Sequence, residues 1–401
     1  MYTEELLKTV QRDADEFIAI RQDIHHNPEL PFKELRTSEL VAQKLESWGY
    51  SVTRGLGGTG VVGQLKRGNG KRRVGLRADM DALPIREETG LKHASRNHGV
   101  MHACGHDGHT AMLLGAAKVL AERGNFSGTL NLIFQPAEEY GKLDSGGPRM
   151  IEDGLFEKFP CDAIFGMHNM PGYPQGQLVF REGPFAASSD KVLITLRGVG
   201  GHGAAPQHTK DPVVGAASLV MALQTVVARN VDPAEPAVVS VGILHAGTAN
   251  NVIPQSAYLE LSVRSLSPAV RELLQQRITE LAHSQAQSYG LTAEVDYQRG
   301  YPVLVNTRAE TDFARRIGVE LVGADKVIAQ GPALMGSEDF AFMLEKSSGT
   351  YLLVGNGNES GPNGCMVHNP GYDFNDGNVA VGTAYWTLLV ERYLTDEPLP
   401  A

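Results

Sequence analysis

Cysteine is scarce in this chain. Its three copies, Cys104, Cys161 and Cys365, form no CxxC pair and are odd in number. They do not suit a disulfide framework, and such usage fits a reducing cytoplasm. Basic runs are equally short. None exceeds Lys71-Arg72-Arg73, against a net charge of −10, which argues against nucleic acid or an anionic membrane surface as partners. Long apolar runs are also missing. The greasiest stretch, Val213 to Ala228, is broken by Ser218, Gln224 and Thr225, and a bilayer span needs about 20 apolar residues. Met1 to Ile24 alternates charged and apolar residues at helical spacing, without the apolar core of a signal peptide. There is no internal repeat and no low-complexity tract.

Several catalytic signatures are absent as well. HExxH, GxSxG and the HxE…PCxxC pattern of zinc deaminases do not occur. Gly55-Leu56-Gly57-Gly58-Thr59-Gly60 fits GxGxxG, but a strand-like Val61 to Leu65 follows it where dinucleotide binding requires a helix. Ser188-Ser189-Asp190-Lys191 fits SxxK, yet the SDN and KTG partners of a serine acyl-enzyme are missing.

What is present is a long soluble chain. Its 401 residues, 42% hydrophobic and 20% charged, predict two domains rather than one core. Up to about Phe185, apolar strands (Val61 to Leu65, Arg73 to Ala78, Thr129 to Phe134, Ala163 to Met167) interleave with helices (Thr37 to Trp48, Thr110 to Glu122). That rhythm predicts an α/β sheet covered on both faces. The pattern then changes to alternating strands and two helices in the order β-α-β-β-α-β, a ferredoxin-like unit. Its strands are Lys191 to Arg197, Ala237 to Leu244, Tyr258 to Arg264 and Thr292 to Tyr297. Its helices open at Asp211-Pro212, an N-cap followed by a first-turn proline, and at about Pro268. After Gly300 the first style resumes, with helices at Thr311 to Gly323 and Asn378 to Leu394 and a strand at Thr350 to Val354. The expected architecture is one α/β domain (1–186 and 299–401) interrupted by an inserted βαββαβ domain (187–298).

Polar residues with the chemistry of metal ligands cluster at strand ends. Glu138 and Glu139 follow Thr129 to Phe134, with Pro136 between to stop the ladder. Adjacent carboxylates at a buried strand tip repel unless a cation separates them; one can then ligate while the other works on water. Asp79 and Asp81 end a second strand and His168 ends a third. Open α/β sheets bind ligands at these ends. The densest cluster, Met101-His102-Ala103-Cys104-Gly105-His106-Asp107-Gly108-His109, precedes a helix apolar nearly all round. The buried helix N-terminus should favour the Cys104 thiolate, and Cys104 and His106 can reach one metal or two neighbouring ones. A structural cysteine flanked by helix-capping residues is the alternative. His368 sits in an ordinary-looking loop. In the insertion, glycines around His202 allow close approach to a ligand, or simply form a hairpin turn. Asn250 and Arg264 are weaker polar candidates. Arg264 could clasp a substrate carboxylate, although a surface charge is the commoner case.

With Cys104-Gly105-His106, Glu138-Glu139, His168, His202 and His368 in view, the chain resembles the peptidase M20 family. The nearest resemblance is to its D subfamily of amidohydrolases, which act on hippurate, N-acyl-amino acids and auxin conjugates. The matching segments are Arg77 to Pro84, Met101 to Thr110, Phe134 to Glu139, Gly200 to Pro206, Met335 to Phe340 and His368 to Pro370. The resemblance implies a phosphorylase/hydrolase-like zinc-peptidase α/β catalytic domain, with the insertion as lid and dimerisation module. It implies two divalent ions, Zn2+ or Mn2+ with Co2+ or Ni2+ also acceptable, held by Cys104, His106, Glu139, His168 and His368. Glu138 becomes the general base and His202 an oxyanion stabiliser reaching a neighbouring subunit's site. Asn250 and Arg264 face the substrate, and Asp79 and Asp81 orient liganding imidazoles. The expected reaction is hydrolysis of an N-acyl-L-amino acid by a cytoplasmic homodimer or tetramer. The rivals are a dipeptidase or carboxypeptidase, an N-acetyl-diaminopimelate deacetylase, and a catalytically silent metal-binding scaffold.

Overall fold

The computed structural model describes residues 2–358 and 363–395. Met1 and residues 359–362 and 396–401, included in the ranges expected above, lie outside them. The chain divides into two compact units: 1–183 with 305–332 and 339–401, and 184–304 with 333–338. The boundaries expected at 187 and 298 therefore fall at 184 and 304. The short segment 333–338 returns to the second unit because Leu334 and Gly336 carbonyls accept the Ala187 amide.

The first unit begins with helix α1 (Tyr2–His26) and helix α2 (Leu35–Ser47). Strands β1 (Ser51–Leu56) and β2 (Gly60–Arg67) form a hairpin over the glycine-rich turn, so no helix follows it as dinucleotide binding requires. Strands β3 (Arg73–Asp79), β4 (Gly128–Gln135) and β5 (Ala163–Pro171) flank helix α3 (His106–Arg123) in sequence. The sheet runs β1-β2-β4-β3-β5, then Gly349–Gly357, Leu178–Val179 and Val327–Ile328. β3 pairs parallel with both β4 and β5, and Gly349–Gly357 pairs parallel with β5. The carboxyl ends of three parallel strands thus lie together, as a ligand site requires.

α3 starts four residues earlier than its apolar pattern suggests, so His106 opens the helix and His109 lies in its first turn. Polar ligand-type residues hid that turn from a hydrophobic reading. The helix is buried on nearly every side, and the C-terminal helix Gly377–Tyr393 approaches it closely. A Cβ at Gly115 would meet Thr383 Oγ1 at 2.2 Å. Around them Phe165, Tyr385, Trp386 and Tyr393 build the core.

The second unit is a four-stranded antiparallel sheet in the order Ala237–Ala246, Ser256–Ser265, Ser188–Arg197, Thr292–Arg299. With helices Pro212–Asn230 and Pro268–Ser288 between strands, this is the βαββαβ arrangement. Both helices open on a side-chain cap plus proline: Asp211 accepts the Val213 amide and Ser267 the Val270 amide. Val192, Ile194 and Leu196 alternate inward against Leu219 and Leu223. Pro212–Asn230 is long and apolar enough to cross a membrane by length and composition alone. Its face at Gly215, Ala216, Leu219, Leu223 and Val226 is buried in this unit.

Candidate metal centre

Pro136 ends β4, and the chain turns through Ala137 in a left-handed conformation (φ 51°) into a short 3-10 turn, Glu138–Tyr140. Asp81, just past β3, accepts the amides of Glu138 (3.1 Å) and Glu139 (2.9 Å). The same carboxylate accepts the His106 Nδ1 proton at 3.2 Å, which turns His106 Nε2 inward. That nitrogen is buried and makes no hydrogen bond. It faces Asp79 Oδ2 at 3.8 Å and Glu139 Oε1 at 4.0 Å.

The other imidazoles converge in the same way. His168 was expected to end its strand but lies within β5, which runs on to Pro171; it gives its Nδ1 proton to the Asn169 carbonyl (2.5 Å) and points Nε2 at Cys104 Sγ, 3.3 Å away. His368 has positive φ (64°), and its amide is tied to the Ala103 carbonyl at 2.7 Å. Its Nε2 lies 3.3 Å from Cys104 Sγ and 3.0 Å from Glu139 Oε1. The ligand-type atoms of Cys104, His106 and His168 lie within 4.8 Å of one another, as do those of Cys104, Glu139 and His368, and those of His106, Glu138 and Glu139. Thus the five expected ligands and the expected base share one site. His368 is exposed and forms its rim; Cys104 and His106 are its floor.

The electrostatics of the metal-free site run against its ligand roles. The helix N-terminus was expected to stabilise a Cys104 thiolate, but burial and the carboxylates of Glu139 and Glu138 push the thiol well up. Burial alone would lower His106; Asp79, Asp81 and Glu139 outweigh it and push that imidazole up to about 10. Burial and His109 hold His168 well below the ordinary range. Without a cation these directions favour a proton on the Cys104 sulfur and a charge on His106, the reverse of what the donors do best. A cation removes that conflict and gives partners to the orphaned His106 Nε2 and to Glu139 Oε1, which also lacks a well-aligned hydrogen bond. One thiol, three imidazoles and a carboxylate suit zinc, and also manganese, cobalt or nickel.

Some residues behind the ligands were not foreseen. His109, counted in the motif but given no role, bonds Asp79 (2.7 Å) and Asn169 (2.8 Å), and its ring packs edge-on to His168 at 4.6 Å. Asp79 therefore steadies His109 and pairs with Arg77 (2.6 Å), while Asp81 steadies His106. Asp339 gives its amide to Glu138 Oε1 at 3.3 Å and receives Gln135, Ser145 and Gly147 on its carboxylate. Its buried acid type beside Ser337-Glu338 was the available signal. In the second unit, His202 is exposed and pairs across to Val252, beside the turn that holds Asn250. Arg264 lies along Ser256–Ser265 and donates to Ser337 at 3.1 Å.

A model of peptidase family M20/M25/M40 matches residues 75–392. The chain belongs to this family. A relative, hippurate hydrolase of Campylobacter jejuni, is 46% identical over 94% of this chain and 97% of its own. Thermostable carboxypeptidase 1 of Saccharolobus solfataricus is 41% identical over 91% and 92%. A solved Bacillus subtilis structure, a dinuclear metal-binding peptidase from the M20 family, matches with TM-score 0.82 and 31% identity over 96% of this chain and 99% of that one. The M20 assignment and the converged donor set agree.

Proposed function

We propose that the protein hydrolyses the amide bond of N-acyl-L-amino acids, with two divalent cations held by Cys104, His106, Glu139, His168 and His368. The observation that carries this reading is the convergence of those five side chains beside Glu138. The relative with 46% identity, a hippurate hydrolase, supports the acyl-amino-acid substrate class; the carboxypeptidase at 41% keeps peptides as the rival. When bound, the cations would supply Lewis acidity toward the acyl carbonyl and would lower the pKa of a held water toward about 7.

Within this reading Glu138 takes a proton from the attacking water as the water oxygen bonds to the acyl carbon. The Asp339 amide on Oε1 fixes the direction of that carboxylate. The same proton passes to the amide nitrogen as the C–N bond breaks, leaving a carboxylate and a free amino acid. His202 donates to the developing oxyanion, and Asn250 and Arg264 hold the substrate's polar end. We further infer a homodimer formed through the inserted unit, and a cytoplasmic enzyme. Cys161 and Cys365 are free thiols, in keeping with a reducing compartment.

Glu138→Gln is the first test: metal content stays and turnover falls to a few per cent or less. A variant that keeps more excludes the base role. Rates on N-benzoylglycine, N-acetyl- and indoleacetyl-amino acids, set beside dipeptides, identify the acyl group. Faster dipeptide cleavage would give the rival reading the better claim.

A further inference from the structure

Glu34 takes no part in the chemistry above and belongs to none of the sequence motifs already considered. It is completely buried. Its Oε1 accepts the amides of Phe32 (3.0 Å) and Ala137 (2.8 Å), and its Oε2 accepts the Thr59 hydroxyl (2.6 Å). Phe32 (φ 63°) and Ala137 (φ 51°) are both non-glycine residues in the left-handed region, which a Cβ disfavours. Ala137 leads directly into Glu138 and Glu139. The amides of 137, 138 and 139 therefore go in succession to two buried carboxylates, Glu34 for the first and Asp81 for the other two. The Ala137 carbonyl is held from the far side by the Gly146 amide at 3.1 Å. If Ala137 relaxed to an ordinary φ, the following peptides would swing and both glutamates would turn with them.

We propose that Glu34 is a positioning residue: it clamps the left-handed Ala137 turn and thereby aims Glu138 and Glu139 into the metal centre. This rests on the reading of Glu139 as ligand and Glu138 as base. The clamp depends on acceptor oxygens at the right reach rather than on charge. Burial and the nearby Asp81 push the Glu34 carboxyl up to about 7 even with the Thr59 hydroxyl and the Glu34 and Ala137 amides opposing them.

Two near-isosteric variants of the full chain separate reach from charge. Glu34→Gln keeps an oxygen for both amides and can donate to Thr59 Oγ1. Glu34→Asp keeps the charge but is one methylene short. Four properties are measured: melting temperature, Zn2+ affinity by chelator competition, the absorption spectrum of the Co2+-loaded protein, and kcat with KM. Glu34→Gln should stay near wild type in all. Glu34→Asp should lose about 100-fold in kcat at near-constant KM, weaken metal binding about tenfold and shift the Co2+ spectrum. In an Ala137→Gly background, where a left-handed backbone costs little, the Glu34→Asp defect should shrink. Equal defects in both backgrounds, a folded Glu34→Asp protein matching wild type, or Glu34→Gln as impaired as Glu34→Asp would each overturn the proposal. Should Glu34→Asp fail to fold, Glu34→Gln decides: a loss of metal affinity overturns the clamp and retention supports it. A wild-type chain that takes up no divalent cation would instead overturn the dinuclear reading itself.

Discussion

His25 is fully buried, yet its neighbours favour a proton that an isolated buried imidazole would give up. Burial pulls its pKa down; Asp107, 2.8 Å from Nδ1, and Glu87 pull it up, from 6.5 to about 9. Asp107 is itself lowered against the cost of burial, by His25 and then by His102 and Arg21. It also follows His106, so this ion pair anchors the first turn of α3 from behind. The folded state binds the His25 proton more tightly than the unfolded state does. Its contribution is therefore complete below about pH 6.5 and is lost as pH rises through about 9. A shift of that size corresponds to about 3 kcal/mol. In metal-free protein, urea unfolding of wild type and His25→Gln should converge by about that amount between those pH values. Parallel curves would show that His25 is not charged in the fold. The Cys104 thiol teaches the converse lesson. The helix terminus that favours a thiolate is visible in sequence, but the two carboxylates that oppose it arrive from 138 and 139 only when the chain folds.

At the level of elements, packing overrides propensity on α3. Alanine is the better helix former by about 1 kcal/mol over glycine. At Gly115, however, a Cβ would sit 2.2 Å from Thr383 Oγ1 and 3.2 Å from Thr383 Cβ, on a stiff, buried side chain. Overpacking of that kind costs typically about 1–3 kcal/mol, so Gly115→Ala should melt below wild type despite its propensity. A higher melting temperature would mean that the Gly377–Tyr393 helix can shift outward at little cost. The same element shows what sequence could and could not reveal. Its apolar body, Thr110 to Glu122, was legible from burial-type residues, and so were β3, β4, β5 and the alternating strands of the second unit. Its first turn was not, because His106, Asp107 and His109 are polar and are kept helical by partners distant in sequence. Pro136 announced the end of β4 and hence the Glu138–Glu139 site. Nothing local announced Glu34, whose partners at 59 and 137 are contacts of the folded chain. The short strands Leu178–Val179 and Val327–Ile328 were likewise too brief for any period to show.

At the level of the whole molecule, the second unit leaves a sheet edge that needs an explanation. Among the described residues, Ala237–Ala246 pairs only with Ser256–Ser265, which leaves its other side open. The strand contains no Lys, Arg, Asp or Glu, and it exposes Val238, Ile243 and Leu244. Helix Pro212–Asn230 adds exposed Val213, Val214 and Met221. Chains that live as monomers usually protect such an edge with charge, proline or a covering element. A second copy meeting it edge to edge would satisfy both strands at once, in a closed two-fold contact. The double variant Val238→Lys with Leu244→Lys places like charges on that edge at positions already exposed, where substitution alone should change monomer stability by about 0.5 kcal/mol or less. Sedimentation should then fall from twice 43.2 kDa to 43.2 kDa, with metal content unchanged because every proposed ligand lies in the first unit. If His202 serves the twin's site, kcat must fall with the dimer and recover in mixtures that restore it. A wild-type chain sedimenting at the single mass, or a monomeric variant with full turnover, would return His202 to its own chain and leave the open edge to another partner.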